Sequence, residues 1–325
     1  MAKDLVNPTH APLAFCGQPF PKIIANAGKD AIRRFIEFFT ANIRNKNTRE
    51  AYARAVTQFC NWCEHRTFSL DLLEPVVIAT YVEELGERLS KPSVKQHLAA
   101  IRMLFDYLVV GQVVPMNPAA SVRGPKYVVR RGKTPVLSAE DTRRLIDSID
   151  GSTLIGLRDR ALIAVMVYSF ARVSAVVGMN VEDFYLNGKR YWIRLHEKGG
   201  KLHEVPAHHN TESYADAYLQ AAGIAGEKSS PLFRTAPGTQ RKLTDRRMNR
   251  KEALAMIKRR ARLAGLPENI CNHTFRATGI TTFLKNGGTV EKAQTIAAHE
   301  SPRTTKLYDR TEDEITLDEV ERILI

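Results

Sequence analysis

The sequence predicts a mainly α-helical protein of two domains, a four-helix unit followed by a mixed α/β unit with one small antiparallel three-stranded sheet. Three observations carry that expectation. At 325 residues the chain exceeds the usual size of a single core. Apolar residues recur at helical spacing over most of its length. Alternation of the strand kind is confined to residues 181–206, where turn signals bracket it.

Residues 1–21, with four prolines, read as a loosely ordered arm. Residues 22–113 form the first domain. A first helix is expected over 23–43, and a second opens at Asn47, whose spacing to Glu50 is that of a capping box. Tyr52, Val56, Phe59, Trp62 and Cys63 share one face of that second helix. Pro75 and Pro92 start two more, because proline fits the first turn of a helix, where no amide hydrogen is needed. The apolar stripe of the fourth includes Leu98, Ile101, Leu104, Phe105 and Leu108. Residues 114–136 carry further prolines and glycines together with Arg123, Lys126, Arg130, Arg131 and Lys133, and read as a basic linker.

The second domain spans 137–310 and opens at Ser138, with Glu140 and Asp141 in its first turn. A long apolar helix is expected over 154–171, ending at Arg172. Asn187-Gly188 marks a tight turn between 181–185 and the alternating Tyr191-Trp192-Ile193-Arg194-Leu195. A second turn, Glu197-Lys198-Gly199-Gly200-Lys201, leads into a third strand over 202–205. The remainder, from about 211, reads as helices. Residues 311–325, acidic and with Leu317, Val320, Ile323 and Leu324 on one face, read as an amphipathic tail helix.

The 48 Lys and Arg against 35 Asp and Glu give a net charge of +13. Both large segments share the excess: residues 1–130 carry +6, residues 131–310 carry +12, and the tail carries −5. Such a balance fits a polyanionic partner, since clustered Lys and Arg displace counterions from a phosphate backbone. Within residues 241–262 ten basic residues face two acidic ones, which favours backbone contact by Arg241, Lys242, Arg246 and Arg247. The four cysteines show no paired framework, so a secreted disulfide scaffold is excluded. Cys60 and Cys63 form a C-x-x-C, but they lie in an apolar helical pattern and no second pair completes a metal site, so core packing is expected. His203, His208 and His209 lack acidic or cysteine partners in a ligand pattern. Neither a metal nor a cofactor is expected. No apolar run reaches the ~18 residues a membrane span needs, and the N-terminus has no export pattern, so a cytoplasmic protein is expected.

Cutting a phosphodiester through a protein nucleophile requires an attacking oxygen, cations on the non-bridging phosphate oxygens, and a proton donor for the leaving hydroxyl. Arginine supplies the cations well, because its planar fork matches two oxygens at once. The chain offers, in order, Arg172, Lys198 on a turn, His273 and Arg276 three apart on one helix face, His299, and Tyr308. Each has an ordinary reading on its own: Arg172 capping its helix, Lys198 an exposed turn residue, the histidines and Tyr308 satisfied in a core.

In that combination the sequence resembles the tyrosine recombinases, the phage-integrase and Xer-type family. The family pattern is Arg, Lys in a β-turn, His-x-x-Arg, then His or Trp, then Tyr nine residues later. His299 and Tyr308 have that spacing, and the likeness of the hairpin to the family's makes Lys198, rather than Lys201, the catalytic candidate. NTREAYARAVTQFCNWC also resembles the second helix of the family's core-binding domain, and NPAASVRGPK with VLSAEDTRRLIDSI resembles its interdomain junction. Departures are Ala175 where a glutamate is usual, Ala297-Ala298 where Leu-Gly is common, and Ala277 where histidine is common.

The resemblance implies an N-terminal core-binding, SAM-like domain and a C-terminal catalytic domain of the tyrosine recombinase type, closing as a clamp on duplex DNA. It implies attack by Tyr308, a 3′-phosphotyrosyl link, a specific recombination site, a homotetramer in synapsis with a monomer when free, and a tail that docks on a neighbouring subunit. Lys201 and the linker cations Arg123, Lys126, Arg130 and Arg131 join the expected DNA contacts. Two alternatives stay open at this stage: DNA relaxation of the type IB topoisomerase kind, and a non-catalytic DNA-binding regulator with a relic site.

Overall fold

A computed structural model describes residues 14–15, 18–129, 132–197, 200–236, 242–309 and 320–321. Arg130, Arg131, Lys198 and Arg241, the arm before residue 14 and nearly all of the tail therefore lie outside the described residues. The chain divides into two compact units, Met1–Val128 and Val129–Ile325.

The first unit is helical apart from a short antiparallel pair, β1 (Ala14–Phe15) and β2 (Gln18–Pro19), within the segment expected to be loose. Its helices are α1 (Lys22–Asn26), α2 (Lys29–Glu37), α3 (Lys46–His65), α4 (Pro75–Arg88) and α5 (Lys91–Val110). The single helix expected over 23–43 is broken. Gly28 takes φ +98°, a value that favours glycine, and the chain re-enters helix at Lys29 before a π-helical turn over Phe38–Asn42. The cap of α3 also lies two residues earlier than expected: Asn45, not Asn47, accepts from the amides of Asn47 and Thr48.

Phe35, Phe38, Phe39, Phe59, Tyr81 and Phe105 form the centre of this unit, all fully buried, with edge-to-face pairs at 4.7–6.3 Å. Trp62 closes one side of it, donating to Glu84 at 2.8 Å under the Arg66 guanidinium, whose carbon lies 4.2 Å from the indole centroid. Cys60 and Cys63 are buried free thiols whose pKa values burial pushes up, that of Cys63 to about 12, so they act as packing residues.

The second unit is built around α7 (Leu154–Tyr168), buried on nearly every side. Against it pack α8 (Val173–Gly178), α9 (His209–Ala222) and α11 (Asn272–Lys285), and the unit also holds α6 (Ala139–Asp147), α10 (Arg250–Leu263), α12 (Val290–Ile296) and α13 (Pro302–Lys306). The three-stranded sheet has the order β3 (Phe184–Asn187), β4 (Arg190–His196), β5 (Leu202–Pro206), antiparallel throughout. Ile193 faces Phe184 on one side and Val205 on the other, so the inward positions of all three strands coincide. Residues 181–183 form a 3-10 turn rather than strand, because Asp183 caps back onto the Asn180 amide at 2.8 Å. Residues 224–249 were expected to be helical; the described ones, 224–236 and 242–249, hold no helix and are tied by isolated bridges, Asn180 to Pro231 and Arg234 to Arg247.

A buried charge cluster joins α7 to α10. Asp159, with no exposed surface, accepts from Arg158 at 2.6 Å and from Arg260 at 2.8 Å, while Arg158 also donates to the Arg234 carbonyl. Removing one member would strand a buried charge, which costs about 3–5 kcal/mol.

Candidate active site

Four short junctions in the second unit converge on one place. The first lies after α7. That helix stops at Tyr168, three residues earlier than the apolar pattern implied, because Phe170 adopts the left-handed conformation at φ +54°. Arg172 is therefore not the end of α7. It is the extended residue that opens α8, and it does not cap the carbonyls behind it.

The second junction is α11. His273 and Arg276 sit one turn apart on it, as expected. Arg276 is 2% exposed, and its guanidinium donates to two backbone carbonyls, those of Phe170 and of Ala297, the latter at 2.7 Å. Both carbonyls adjoin or belong to residues in the left-handed region, Phe170 itself and Ala298 at φ +48°. The two unusual backbone kinks thus lie where the chain presents oxygens to one arginine. Gly279, one turn further along α11, permits the approach: a Cβ there would lie 2.1 Å from the Val167 carbonyl oxygen.

The third junction follows α12. His299 is 6% exposed; its backbone amide donates to the Gln294 carbonyl and its Nδ1 is 2.9 Å from the Thr305 hydroxyl. That contact engages one ring nitrogen and leaves Nε2 as the other functional edge. His203, on β5, bonds the Ile296 carbonyl at 2.9 Å and so anchors the sheet to the end of α12.

The fourth is the turn after α13. The Tyr308 amide donates to the Thr305 carbonyl, and the Tyr308 carbonyl accepts from the Thr281 hydroxyl at 2.9 Å. Its ring lies parallel to that of His299, centroids 5.8 Å apart and planes within 8°. Tyr308 lies close enough to Arg276 to favour the charged guanidinium. The backbone of Gly132 reaches the neighbouring Leu307 carbonyl at 3.0 Å, which fixes the approach to Tyr308 from one side.

Electrostatics follow from this crowding. Burial first, then Arg172, lowers the pKa of Arg276 to about 10. Burial, then the charges of Arg276 and Arg172, holds His299 down at about 3 and moves His273 in the same direction. Without a bound anion both imidazoles are therefore neutral near pH 7, and the arginines carry the charge. A phosphate entering here would meet two guanidinium groups and draw the imidazoles toward protonation.

Of the residues read from sequence, Arg172, His273, Arg276, His299 and Tyr308 are brought to this place, and Lys198 lies outside the described residues. Among the expected DNA contacts, Arg123, Lys126, Lys201 and Lys242 are exposed. Arg246 is exposed but paired with Glu252, and the Arg247 guanidinium is engaged by the Val177 and Met179 carbonyls and the Asn180 side chain. Three participants were not singled out in the sequence: Phe170, Thr305 and Glu197. The signals were faint. Thr305 lies six residues from His299, and Glu197 is the one carboxylate in the turn that carries Lys198.

A phenol beside two arginines and two imidazoles has the chemistry to support phosphoryl transfer through a protein nucleophile. Comparison with known proteins agrees. The profile of the phage integrase family matches residues 135–314, and that of its N-terminal SAM-like domain matches residues 32–111. The tyrosine recombinase XerD of Corynebacterium glutamicum is 29% identical over 276 residues, covering 81% of this chain and 86% of its own. Among solved structures, the XerH site-specific recombinase bound to difH substrate superposes with a TM-score of 0.67 at 17% identity, covering 93% of this chain and 95% of that one. A lambda integrase tetramer bound to a Holliday junction superposes with a TM-score of 0.66 at 16% identity, covering 88% and 79%. At such identities the structural likeness establishes the fold. The chain belongs to the phage integrase family. Its activity is site-specific tyrosine recombination, the cleavage and rejoining of DNA.

Proposed function

We propose that Tyr308 is the nucleophile of this reaction. Its phenolic oxygen attacks the phosphorus of one DNA strand, the bond to the 5′ oxygen breaks, and a 3′-phosphotyrosyl link remains. The phenol gives its proton to the neutral imidazole of His273, and the leaving 5′ oxygen takes one from Lys198. Arg172 and Arg276 hold the non-bridging oxygens, with His273 and His299 donating to the same phosphate as charge develops. The 5′ hydroxyl of a partner strand then attacks the phosphotyrosine and reverses the step, so the bond energy is stored covalently and no nucleotide cofactor is required.

The observation that carries this reading is the position of the Tyr308 ring, parallel to His299 and within electrostatic reach of the arginine that two backbone kinks hold in place. The partner is double-stranded DNA with a specific recombination site. Residues 22–113 act as a core-binding domain, 114–136 as a basic linker along the backbone, and 137–310 as the catalytic domain. Arg123, Lys126, Arg130, Arg131, Lys201, Arg241, Lys242, Arg246 and Arg247 supply phosphate contacts, with Arg247 acting from its backbone-anchored position. Exchange of strands between two sites needs four cleavages, hence a tetramer in synapsis assembled from free monomers. The tail, 311–325, docks on a neighbouring subunit. The protein works in the cytoplasm, with the DNA.

Trapping covalent complexes on genomic fragments and sequencing the attached ends tests the nucleophile and maps the site together. Adducts at one recurrent sequence, lost in Tyr308→Phe, are expected. Adducts that persist in that variant would overturn the assignment.

A further inference from the structure

Glu197 directly follows β4 and directly precedes Lys198 in the chain, and it is 6% exposed. Its backbone is fixed on both sides of the turn. The amide donates to the Lys201 carbonyl at 2.8 Å, and the carbonyl accepts from the Gly200 amide at 3.2 Å, with Gly200 at φ +79° closing the loop. Its carboxylate accepts from Nη1 of Arg172, across the boundary between the sheet and α8. The pair is lopsided: the Glu197 side chain is 3% exposed, that of Arg172 31%. One end is embedded in protein, and the other keeps a face free for a ligand.

Burying a carboxylate is costly unless a cation compensates, so a residue of this kind is held where its partner has to be. Helix α8 offers no carboxylate of its own, and Ala175, one turn beyond Arg172, is apolar and 1% exposed. Meanwhile Arg172 and Arg276 repel each other, and the Glu197 charge acts on Arg276 in the opposite direction. The groups facing this carboxylate are thus two guanidinium groups that both need to meet one phosphate.

We propose that Glu197 is a positioning residue for strand cleavage: it fixes Arg172 at the phosphate and balances the two arginines until the phosphate arrives. It acts through Arg172 and does not touch the DNA. The inference rests on the reading of Arg172 and Arg276 as phosphate-holding groups.

The test is single-turnover formation of the covalent adduct on a duplex carrying the mapped site and nicked so that rejoining is blocked. Glu197→Gln, which keeps the shape and removes the charge, is expected to slow cleavage by about 10- to 100-fold while DNA affinity changes less than about threefold. Glu197→Asp is expected to recover part of the loss. A second substrate carries a neutral methylphosphonate at the scissile position. On it the defect of Glu197→Gln is expected to shrink at least fivefold, since less charge has to be neutralised. A merely structural role would slow both substrates alike, and that result, even in a variant with a lowered melting temperature, would overturn the proposal. Wild-type cleavage by Glu197→Gln would also overturn it, and so would faster cleavage, which would make the carboxylate a brake. Arg172→Ala and Tyr308→Phe run in parallel keep the site reading separate, because adducts formed by those variants at the wild-type rate would sink that reading instead.

Discussion

Ala298 is an ordinary residue in an uncommon conformation. At φ +48° its methyl group crowds the backbone, a cost of about 1 kcal/mol that glycine would not bear. The kink places the preceding Ala297 carbonyl against Arg276 and the following imidazole beside Tyr308. Ala298→Gly is therefore expected to raise stability by about 0.5–1 kcal/mol, the relief of strain exceeding the added freedom of the unfolded chain. Urea denaturation checks it, and a loss of stability would show that the methyl group packs better than its backbone suggests. His299 gives a second prediction. Its pKa in the folded protein, about 3, lies below the ordinary value of 6.5, so the unfolded chain binds the extra proton. Its contribution is fully present above pH 6.5 and is lost as the pH falls toward 3, by about 2 kcal/mol at pH 5. Denaturation at pH 7.5 and pH 5 should show this loss in the wild type and its reduction in His299→Gln. Equal losses in both proteins would assign the acid sensitivity elsewhere.

At the scale of elements, the close crossing of α11 and α7 decides whether the site exists. Gly279 lets α11 lie against the last turn of α7, where an added Cβ would meet the Val167 carbonyl at 2.1 Å and the Phe170 ring at 2.7 Å. Backbone cannot swing aside as a flexible side chain can. Gly279→Ala is expected to cost about 1–3 kcal/mol and to cut adduct yield at least tenfold, by pulling the Phe170 carbonyl off Arg276. Full activity in that variant would mean that the crossing is looser than it looks. Much at this scale was legible in the sequence. Pro75 and Pro92 mark helix starts, the stripe from Leu98 to Leu108 is buried, and the alternation around Ile193 is the central strand. What escaped was conformational. The apolar run through Ala171 continues past the point where Phe170 turns left-handed, and a bulky aromatic residue gives no warning of that. Gly28 broke a helix for a reason visible in its type, yet one glycine inside a helical pattern is commonly tolerated.

Across the whole molecule, the order of chemical residues along the chain carried more information than any local pattern. Arg172, Arg276, His299 and Tyr308 come from four separate junctions, and nothing local in the sequence says that these meet. Their order and spacing did, through resemblance to a family whose profile matches the second unit. The supporting partners were not legible in that way. Glu197 is one carboxylate among many, and its importance lies in being buried against an arginine 25 positions away in the chain. Charge was legible as a total and less so as a role, since Arg247, in a strongly basic segment, uses its guanidinium to hold backbone around Val177 and Met179. Strand cleavage turns on the chemistry at Tyr308. Digesting a trapped protein–DNA complex with nuclease and protease, then weighing the peptides, tests it most directly. A peptide containing Tyr308 that carries a nucleotide through its 3′ phosphate is expected, with a free 5′ hydroxyl on the released strand; a nucleotide on any other residue, or a 5′-phosphate linkage, would rule Tyr308 out as the nucleophile of this chemistry.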